Sequence, residues 1–170
     1  MFKSEFDQVA ISVLESGWYI LGKNVSEFEK QFADYVSAKR CVGVANGFDA
    51  LVLAFIALGI GASDEEVIVI VQANTYIARV MGITMNGVIP VFVEPNGFYN
   101  IDVEKIEQAI TEKTKAILVV HLYGHASRMD EFYRLAEKYN LRVVEDFAQS
   151  HGAVYHSKMT GSFSVIGCFR

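Results

Sequence analysis

Short apolar runs that alternate with helix-like segments constrain the fold of this chain more than any other feature. VIVIV at 67–71 and KAILVVH at 115–121 have continuous apolar centres, the pattern of strands covered on both faces of a sheet. Further strands are predicted at 88–94, 141–146, 152–155 and 162–169, and helices at 76–85, 102–110 and 129–139. Strands alternating with helices predict an α/β fold with a mostly parallel sheet.

The first third of the chain has helical apolar spacing twice. A helix carrying Phe6 and Leu14 is expected to stop at Gly17, and a second is expected at 25–36 with Asn24 or Ser26 as its cap. CVGVA at 41–45 is a short strand candidate, followed by a helix in DALVLAFIALG that ends at the GIG turn. No repeat or linker interrupts the pattern, so residues 1–170 are interpreted as one domain.

Composition narrows the functional classes. The chain has 170 residues, 52% of them hydrophobic, and a net charge of -5, with 15 scattered Lys and Arg residues. This balance gives no support for a nucleic-acid or membrane-surface partner. No signal-peptide pattern is present and no apolar run is long enough to span a bilayer, so a cytoplasmic protein is expected. Cys41 and Cys168 lie in apolar runs and are interpreted as structural thiols.

Ligands of open parallel sheets bind at the carboxyl ends of the strands. In VANGFDAL, Gly47 opens a helix after a strand candidate, and the free amides of a helix N-terminus can bind a phosphate. The alternative for this turn is an ordinary strand-to-helix connection. Two other motifs are set aside: GIGASD follows a helix and lacks a third glycine, and His121 and His125 lack the helical context of a zinc pair.

The run VVEDFAQSHG raises the question of why acids follow a buried strand, because an unpaired buried carboxylate is costly. Asp146 could keep a heteroaromatic nitrogen protonated, as pyridoxal phosphate (PLP) requires for its chemistry. An Asp that caps a neighbouring loop is the alternative. Tyr76 could stack on a flat ring, or it could be a tyrosine at the edge of the core.

Several motifs, in this order, resemble the DegT/DnrJ/EryC1/StrS sugar aminotransferases over nearly the whole chain: SGWYILG, VGVANGFDAL, ANTYIA, YNID, VHLYGH and VEDFAQSHGA. The most similar subfamily by eye aminates dTDP-3-keto-6-deoxyhexoses. The resemblance implies the large domain of PLP-dependent transferase fold type I, the fold of aspartate aminotransferase. It also implies a homodimer, PLP as cofactor, glutamate as amino donor and a sugar nucleotide as substrate.

The resemblance also implies residue roles. Gly47 and the backbone of Phe48 would hold the cofactor phosphate, and Tyr76 would stack on the pyridine ring. Asp146 would pair with the ring nitrogen, and Gln149 would contact the ring hydroxyl. The opening question then has an answer, since the acid at the strand end would be the partner of the pyridinium.

Departures from the family pattern lead us to expect a truncated and inactive form. The family's Schiff-base lysine would follow Arg170, so no catalytic residue is assigned, and the C-terminal small domain is expected to be absent. Lys158 is not expected to substitute for that lysine. Gln72 replaces a proline before ANTY, which could shift Tyr76, and Phe147 replaces a small residue and could crowd the cofactor.

Two other hypotheses stay open. A non-catalytic protein could keep the fold and its dimer surface and act as a binding or assembly partner, without covalent cofactor chemistry. A member without the lysine could instead bind PLP noncovalently and carry out a dehydration with a histidine, although no residue of this sequence points to that reaction.

Overall fold

The structure is a computed structural model that describes residues 2–61 and 66–170. It divides into two compact units, Met1–Gly43 and Val44–Arg170. Each unit is described by itself below, and the single-domain interpretation of the sequence stays a prediction. Within the described residues, no helix is both long enough and apolar enough to cross a membrane.

The unit Met1–Gly43 contains two helices, α1 (Lys3–Ser16) and α2 (Lys23–Val36). Gly17 ends α1 in the left-handed conformation, with φ 66°, and its amide donates to Leu14 O. The cap predicted for α2 is wrong, because Asn24 and Ser26 lie inside the helix. Gly22 precedes Lys23 in an extended conformation. The helix therefore begins after this glycine, and no polar side chain caps it.

CVGVA does not form the predicted strand. A strand needs a neighbour for its backbone groups, and the amide of Gly43 donates instead to the side chain of Glu29, at 2.6 Å from Oε1. Val42 and Val44 are exposed, so the run is not buried as its composition suggested. Cys41 is partly buried, and burial followed by the charge of Glu29 raises the pKa of its thiol.

The unit Val44–Arg170 contains a parallel sheet of five strands. Its strands are β1 (Ile68–Gln72), β2 (Ile89–Val93), β3 (Thr114–Val120), β4 (Arg142–Asp146) and β7 (Ile166–Cys168), and their spatial order is β2-β1-β3-β4-β7. The prediction of a mostly parallel sheet is confirmed. The predicted strand at 152–155 lies outside this sheet, because β5 (Val154–Tyr155) pairs with β6 (Lys158–Met159), which the sequence did not reveal, as an antiparallel hairpin.

Among the described residues of this unit, α3 (Gly47–Ala57) precedes β1, and three α-helices connect consecutive strands of the sheet: α4 (Ile77–Thr84), α5 (Val103–Ala109) and α6 (Met129–Tyr139). Alternate strand residues supply two apolar layers. Leu118 and Val144 belong to the layer that contains residues of α3 and α4, whereas Val119 and Val143 belong to the layer that contains residues of α5 and α6. Because both faces of the sheet are covered, its strands are continuously apolar.

The turn after α3 depends on two glycines with left-handed backbone. Gly59 and Gly61 have φ values of 67° and 88°, as the GIG stop signal predicted. A Cβ on Gly59 would meet nothing within 4 Å, whereas a Cβ on Gly61 would lie 2.1 Å from Asn86 O. Asp64, in the rejected motif GIGASD, lies outside the described residues.

Gly61→Ala is therefore expected to destabilise the chain much more than Gly59→Ala. Both substitutions place an L-residue in the left-handed region, which costs about 1–2 kcal/mol. Only Gly61→Ala adds a clash with a backbone oxygen, which adds roughly another 1–3 kcal/mol. Denaturant midpoints of the two variants measure the difference, and equal midpoints would contradict the packing of this turn.

Candidate functional site

The end of β4 directs two neighbouring carboxylates to opposite faces of the sheet. Successive side chains of a strand alternate in direction, so Asp146 shares the face of Val144, toward α3 and α4, and Glu145 shares the face of Val143, toward α5 and α6. Both acids are buried. Each carboxylate therefore needs its own set of hydrogen-bond donors, and the two sets differ.

Asp146 is paired with Arg79. Arg79 Nε donates to Asp146 Oδ2 at 2.6 Å, and each of the two residues is only 5% exposed. Asp146 Oδ1 accepts the amide of Ala148 at 3.0 Å. The alternative in which Asp146 caps the following loop is thus also realised, through the other carboxylate oxygen.

Tyr76 lies at the start of α4, immediately before Ile77, and is 60% exposed. It is not a core tyrosine in this unit. Its carbonyl accepts the amide of Arg79 at 3.0 Å, so the same helical turn carries the exposed ring and the buried cation. Gln72, at the end of β1, is buried and donates through Nε2 to Asn74 Oδ1 at 3.1 Å, which ties the strand end to the turn before Tyr76.

Gly47 begins α3, as the motif predicted, and Asn46 caps the helix. Asn46 Oδ1 accepts the amide of Asp49 at 3.0 Å. The amides of Gly47 and Phe48 belong to the first turn, where helix donors have no intrahelical acceptor. A Cβ on Gly47 would lie 3.0 Å from Arg170 Cβ, so the start of α3 runs beside the chain that follows β7.

Gln149 is exposed in the loop after β4, and its side chain contacts the loop after β3. Gln149 Oε1 accepts the amide of Tyr123 at 3.0 Å. The ring of Phe147 packs near His151 and Phe169, with ring centroids 5.5 Å and 5.2 Å away. A Cβ on Gly161 would lie 2.5 Å from the Phe147 ring, so this ring occupies the space that a side chain at position 161 would need.

Topology brings the predicted residues to one edge of the sheet. Tyr76 follows β1, Asp146 and Gln149 end or follow β4, and Gly47 lies beside Arg170, which follows β7, so all four lie at the carboxyl edge of the strands. A direct hydrogen bond links α4 to the end of β4 through Arg79 and Asp146. The structure shows no direct contact of Gly47 or Gln149 with Asp146.

On the opposite face, Glu145 is held by a complete set of donors. Glu145 Oε1 accepts the amide and the hydroxyl of Ser164, at 2.6 Å and 2.9 Å. Glu145 Oε2 accepts from Gly161 N at 2.8 Å and from His121 Nε2 at 3.1 Å. The amide of Ser127 donates to His121 Nδ1 at 3.0 Å, so Nε2 carries the hydrogen of the neutral ring.

These contacts decide the protonation of the groups near β4. Burial raises the pKa of Glu145, but the hydrogen bonds from His121, Ser164 and Gly161 lower it by more, and the net pKa lies below its ordinary value. Burial first, and then the charges of Asp146 and Glu145, raise the pKa of Cys168 to about 12. Cys168 is therefore a neutral thiol whose Sγ donates to Ala50 O at 3.5 Å, in agreement with the structural role expected for it.

The lysines of the unit Val44–Arg170 are all engaged away from Asp146. Their neighbours are Asp102 for Lys105, Glu66 for Lys113, Glu112 O for Lys115, Glu107 for Lys138, and the Phe163 ring for Lys158. Lys158 lies on the β5–β6 hairpin with its Nζ 5.1 Å from the ring centroid. None of these lysines approaches the Arg79–Asp146 pair.

Sequence reasoning missed Arg79 and the pair formed by His121 and Glu145. Arg79 was detectable as the one charged residue inside the otherwise apolar helix IARVMGIT. His121 was considered only as a metal ligand, although a polar residue directly after a buried strand needs a partner. Glu145 was noted beside Asp146, but its partners come from residues 16 to 24 positions away and have no local signal.

The mostly parallel sheet is shared with solved aminotransferases, and this match assigns the chain to the aspartate aminotransferase-like fold. Solved aminotransferases superpose on it closely. DesV of S. venezuelae matches with a TM-score of 0.93 and 42% identity over 99% of this chain. A putative sugar aminotransferase of Streptococcus pneumoniae, solved in its PLP form, matches with a TM-score of 0.89 and 29% identity over 99% of this chain.

The chain belongs to the DegT/DnrJ/EryC1/StrS aminotransferase family, whose model matches residues 1–170. One similar protein is the dTDP-3-amino-3,6-dideoxy-alpha-D-galactopyranose transaminase of Aneurinibacillus thermoaerophilus, at 54% identity over 95% of this chain. The chain spans 44% of that relative, 45% of the DesV chain and 46% of the pneumococcal chain. The sequence resemblance to this family is thus confirmed.

Glu145→Gln is expected to destabilise the chain by roughly 3 kcal/mol at pH 7, because both oxygens of Glu145 face N–H donors and one would be replaced by an NH₂ group. The pKa of Glu145 is lowered from the ordinary value of 4.5, so its stabilisation is complete above that pH and is lost as pH falls through the native pKa. The difference between wild type and variant should therefore shrink in acid.

Urea unfolding from neutral pH to about pH 3 measures this difference, within the range where the carboxyl titrates. Glu137→Gln removes the same charge from the exposed side of α6 and should leave stability nearly unchanged. A difference between wild type and Glu145→Gln that stays constant over the whole pH range would contradict the assignment.

Proposed function

We propose that this chain is the N-terminal part of a PLP-dependent aminotransferase that transfers an amino group from glutamate to a keto-sugar nucleotide. The observation that carries the proposal is the buried Asp146 at the carboxyl end of β4, in a chain of this family. The activity would belong to the complete enzyme, and the 170-residue chain alone would be inactive. Aminotransferases of this family, together with a structural neighbour in its PLP form, support PLP as the cofactor.

The start of α3 is suited to hold the cofactor phosphate. The amides of Gly47 and Phe48 lie in the first turn, and the partial positive charge of a helix N-terminus favours an anion. Asn46 fixes that turn by accepting the amide of Asp49. This contact uses backbone donors, so the phenylalanine at position 48 is compatible with it.

The ring contacts would come from side chains at the other strand ends. Asp146 offers a carboxylate to the ring nitrogen, and the exposed ring of Tyr76 offers a face on which the pyridine could stack. Gln149, also exposed, would contact the ring hydroxyl after release of the Tyr123 amide or through its NH₂ group. The bound cofactor supplies an electron sink for the carbon that exchanges its amino group.

The substrate we propose is a dTDP-3-keto-6-deoxyhexose, used in deoxyaminosugar biosynthesis. The support is the relative at 54% identity, whose name specifies the transamination of a dTDP-3-amino-3,6-dideoxy-galactopyranose. We propose further that the intact enzyme is a cytoplasmic homodimer. The Schiff-base lysine would be supplied by a part of the enzyme outside these 170 residues, since the lysines of Val44–Arg170 have other neighbours.

The purified 170-residue chain is expected to retain PLP after desalting and to show no reducible lysine adduct. Its absorption spectrum after desalting, and mass spectrometry after borohydride reduction, measure both properties. Tyr76→Ala should lower retention by up to about tenfold, because it removes the ring on which the pyridine would stack, a contact worth about 0.5–1.5 kcal/mol beyond the buried area. Tyr76→Phe keeps the ring and serves as the matched control.

A chain that retains no PLP would contradict the cofactor site and would favour the non-catalytic binding or assembly role. A specific adduct on Lys158 or another lysine of the chain would contradict the assignment of the lysine to another part of the enzyme. Without a keto-sugar nucleotide, the complete enzyme should form at most about one equivalent of 2-oxoglutarate per bound cofactor from glutamate, and repeated turnover should require the keto-sugar nucleotide. Turnover with UDP-linked but not dTDP-linked sugars would overturn the proposed substrate.

A further inference from the structure

The proposed function leaves one buried charge without a role, the guanidinium of Arg79. The side chain is 5% exposed and lies in the first turn of α4, a helix whose other residues are uncharged. A buried arginine is rare unless it is paired. Its partner is the same carboxylate to which the proposed function assigns the ring nitrogen.

Both oxygens of Asp146 already accept hydrogen bonds. Oδ2 accepts from Arg79 Nε at 2.6 Å, and Oδ1 accepts from Ala148 N at 3.0 Å. The contact with Arg79 is short and charge-assisted, which makes it the stronger of the two. A ring nitrogen that approaches Asp146 would meet a carboxylate whose negative charge is already compensated.

Two described titratable groups beside Asp146, Cys168 and Glu145, do not change this balance of charge. Cys168 lies on the same face as Asp146 and has a raised pKa, so its thiol is neutral. Glu145 points to the opposite face, where its own donors compensate its charge. Arg79 is therefore the counter-ion of Asp146.

We propose that Arg79 competes with the ring nitrogen of the cofactor for Asp146 Oδ2. This inference rests on the proposed function, since it presumes that the ring reaches Asp146. Two cations that share one carboxylate repel each other, so the ring nitrogen gains little from Asp146 while Arg79 stays in place. The cofactor is then held mainly through its phosphate and its ring face, and Arg79 is a positioning residue that weakens the hold on the nitrogen.

The experiment compares two ligands that differ only at the ring nitrogen. Pyridoxamine 5'-phosphate is used because its amine cannot form an imine with a lysine, and its analogue carries C–H in place of the ring nitrogen. Calorimetry gives the Kd of each ligand for the 170-residue chain. In the wild type, the two Kd values are expected to agree within about threefold, well under the 1.4 kcal/mol that corresponds to a tenfold difference.

Two variants separate the charge of Arg79 from its hydrogen bond. In Arg79→Gln the charge is lost but a donor to Asp146 remains, and the preference for the ligand with the ring nitrogen should rise to about tenfold or more. In Arg79→Lys the charge is kept, and the preference should stay close to that of the wild type. Arg134→Gln, an exposed change on α6, is the matched control and should alter neither Kd. Circular dichroism checks that each variant is folded.

If the wild type binds the ligand with the ring nitrogen at least tenfold more tightly than its analogue, the proposed competition is overturned. This measurement does not depend on the folding of any variant. A preference that falls in Arg79→Gln would overturn it too, because Arg79 would then support the contact with the nitrogen. Binding of both ligands with the same preference in every variant would overturn this inference and leave the cofactor site intact. Binding of neither ligand by any folded variant would overturn the cofactor site as well.

Discussion

Two adjacent buried carboxylates must each be compensated by hydrogen-bond donors, and the site depends on this constraint. Glu145 and Asp146 end the same strand, and the alternation of side chains sends them to opposite faces of the sheet. A buried carboxylate without donors would cost several kcal/mol. Each face therefore has to supply its own partners: Arg79 from α4 for Asp146, and His121, Gly161 and Ser164 for Glu145.

The two carboxylates differ in the kind of donor that compensates their charge. The donors to Glu145 include backbone amides and a neutral histidine and occupy both oxygens in a closed network, which ties the loop at 161–164 to β4. That network is structural. Asp146 instead depends on one side chain from a neighbouring helix and one loop amide, and its location at the carboxyl edge keeps it near the start of α4. A ligand that contacts a carboxylate at this strand end would therefore bind to Asp146, on the face of α3 and α4.

The sequence allowed most of the second unit to be predicted, because local patterns there agree with the fold. Continuous apolar runs gave β1, β3 and β4, and Asn46 and Asp102 capped the predicted helices. CVGVA failed because strand formation depends on a partner that no local pattern reveals. Arg79 and His121 were missed for a related reason, since the acids that hold them lie 67 and 24 residues further along the chain.

The two ends of the proposed cofactor site differ in how they respond to sequence change. At α3, the donors are backbone amides whose positions follow from the helix itself, so Phe48 can replace other residues without removing a donor. At β4, the acceptor is a side chain that is already paired with Arg79, so we expect a single substitution on α4 to change what Asp146 can bind. Variation at position 79 can therefore alter the hold on the ring while the anchoring of the phosphate stays the same.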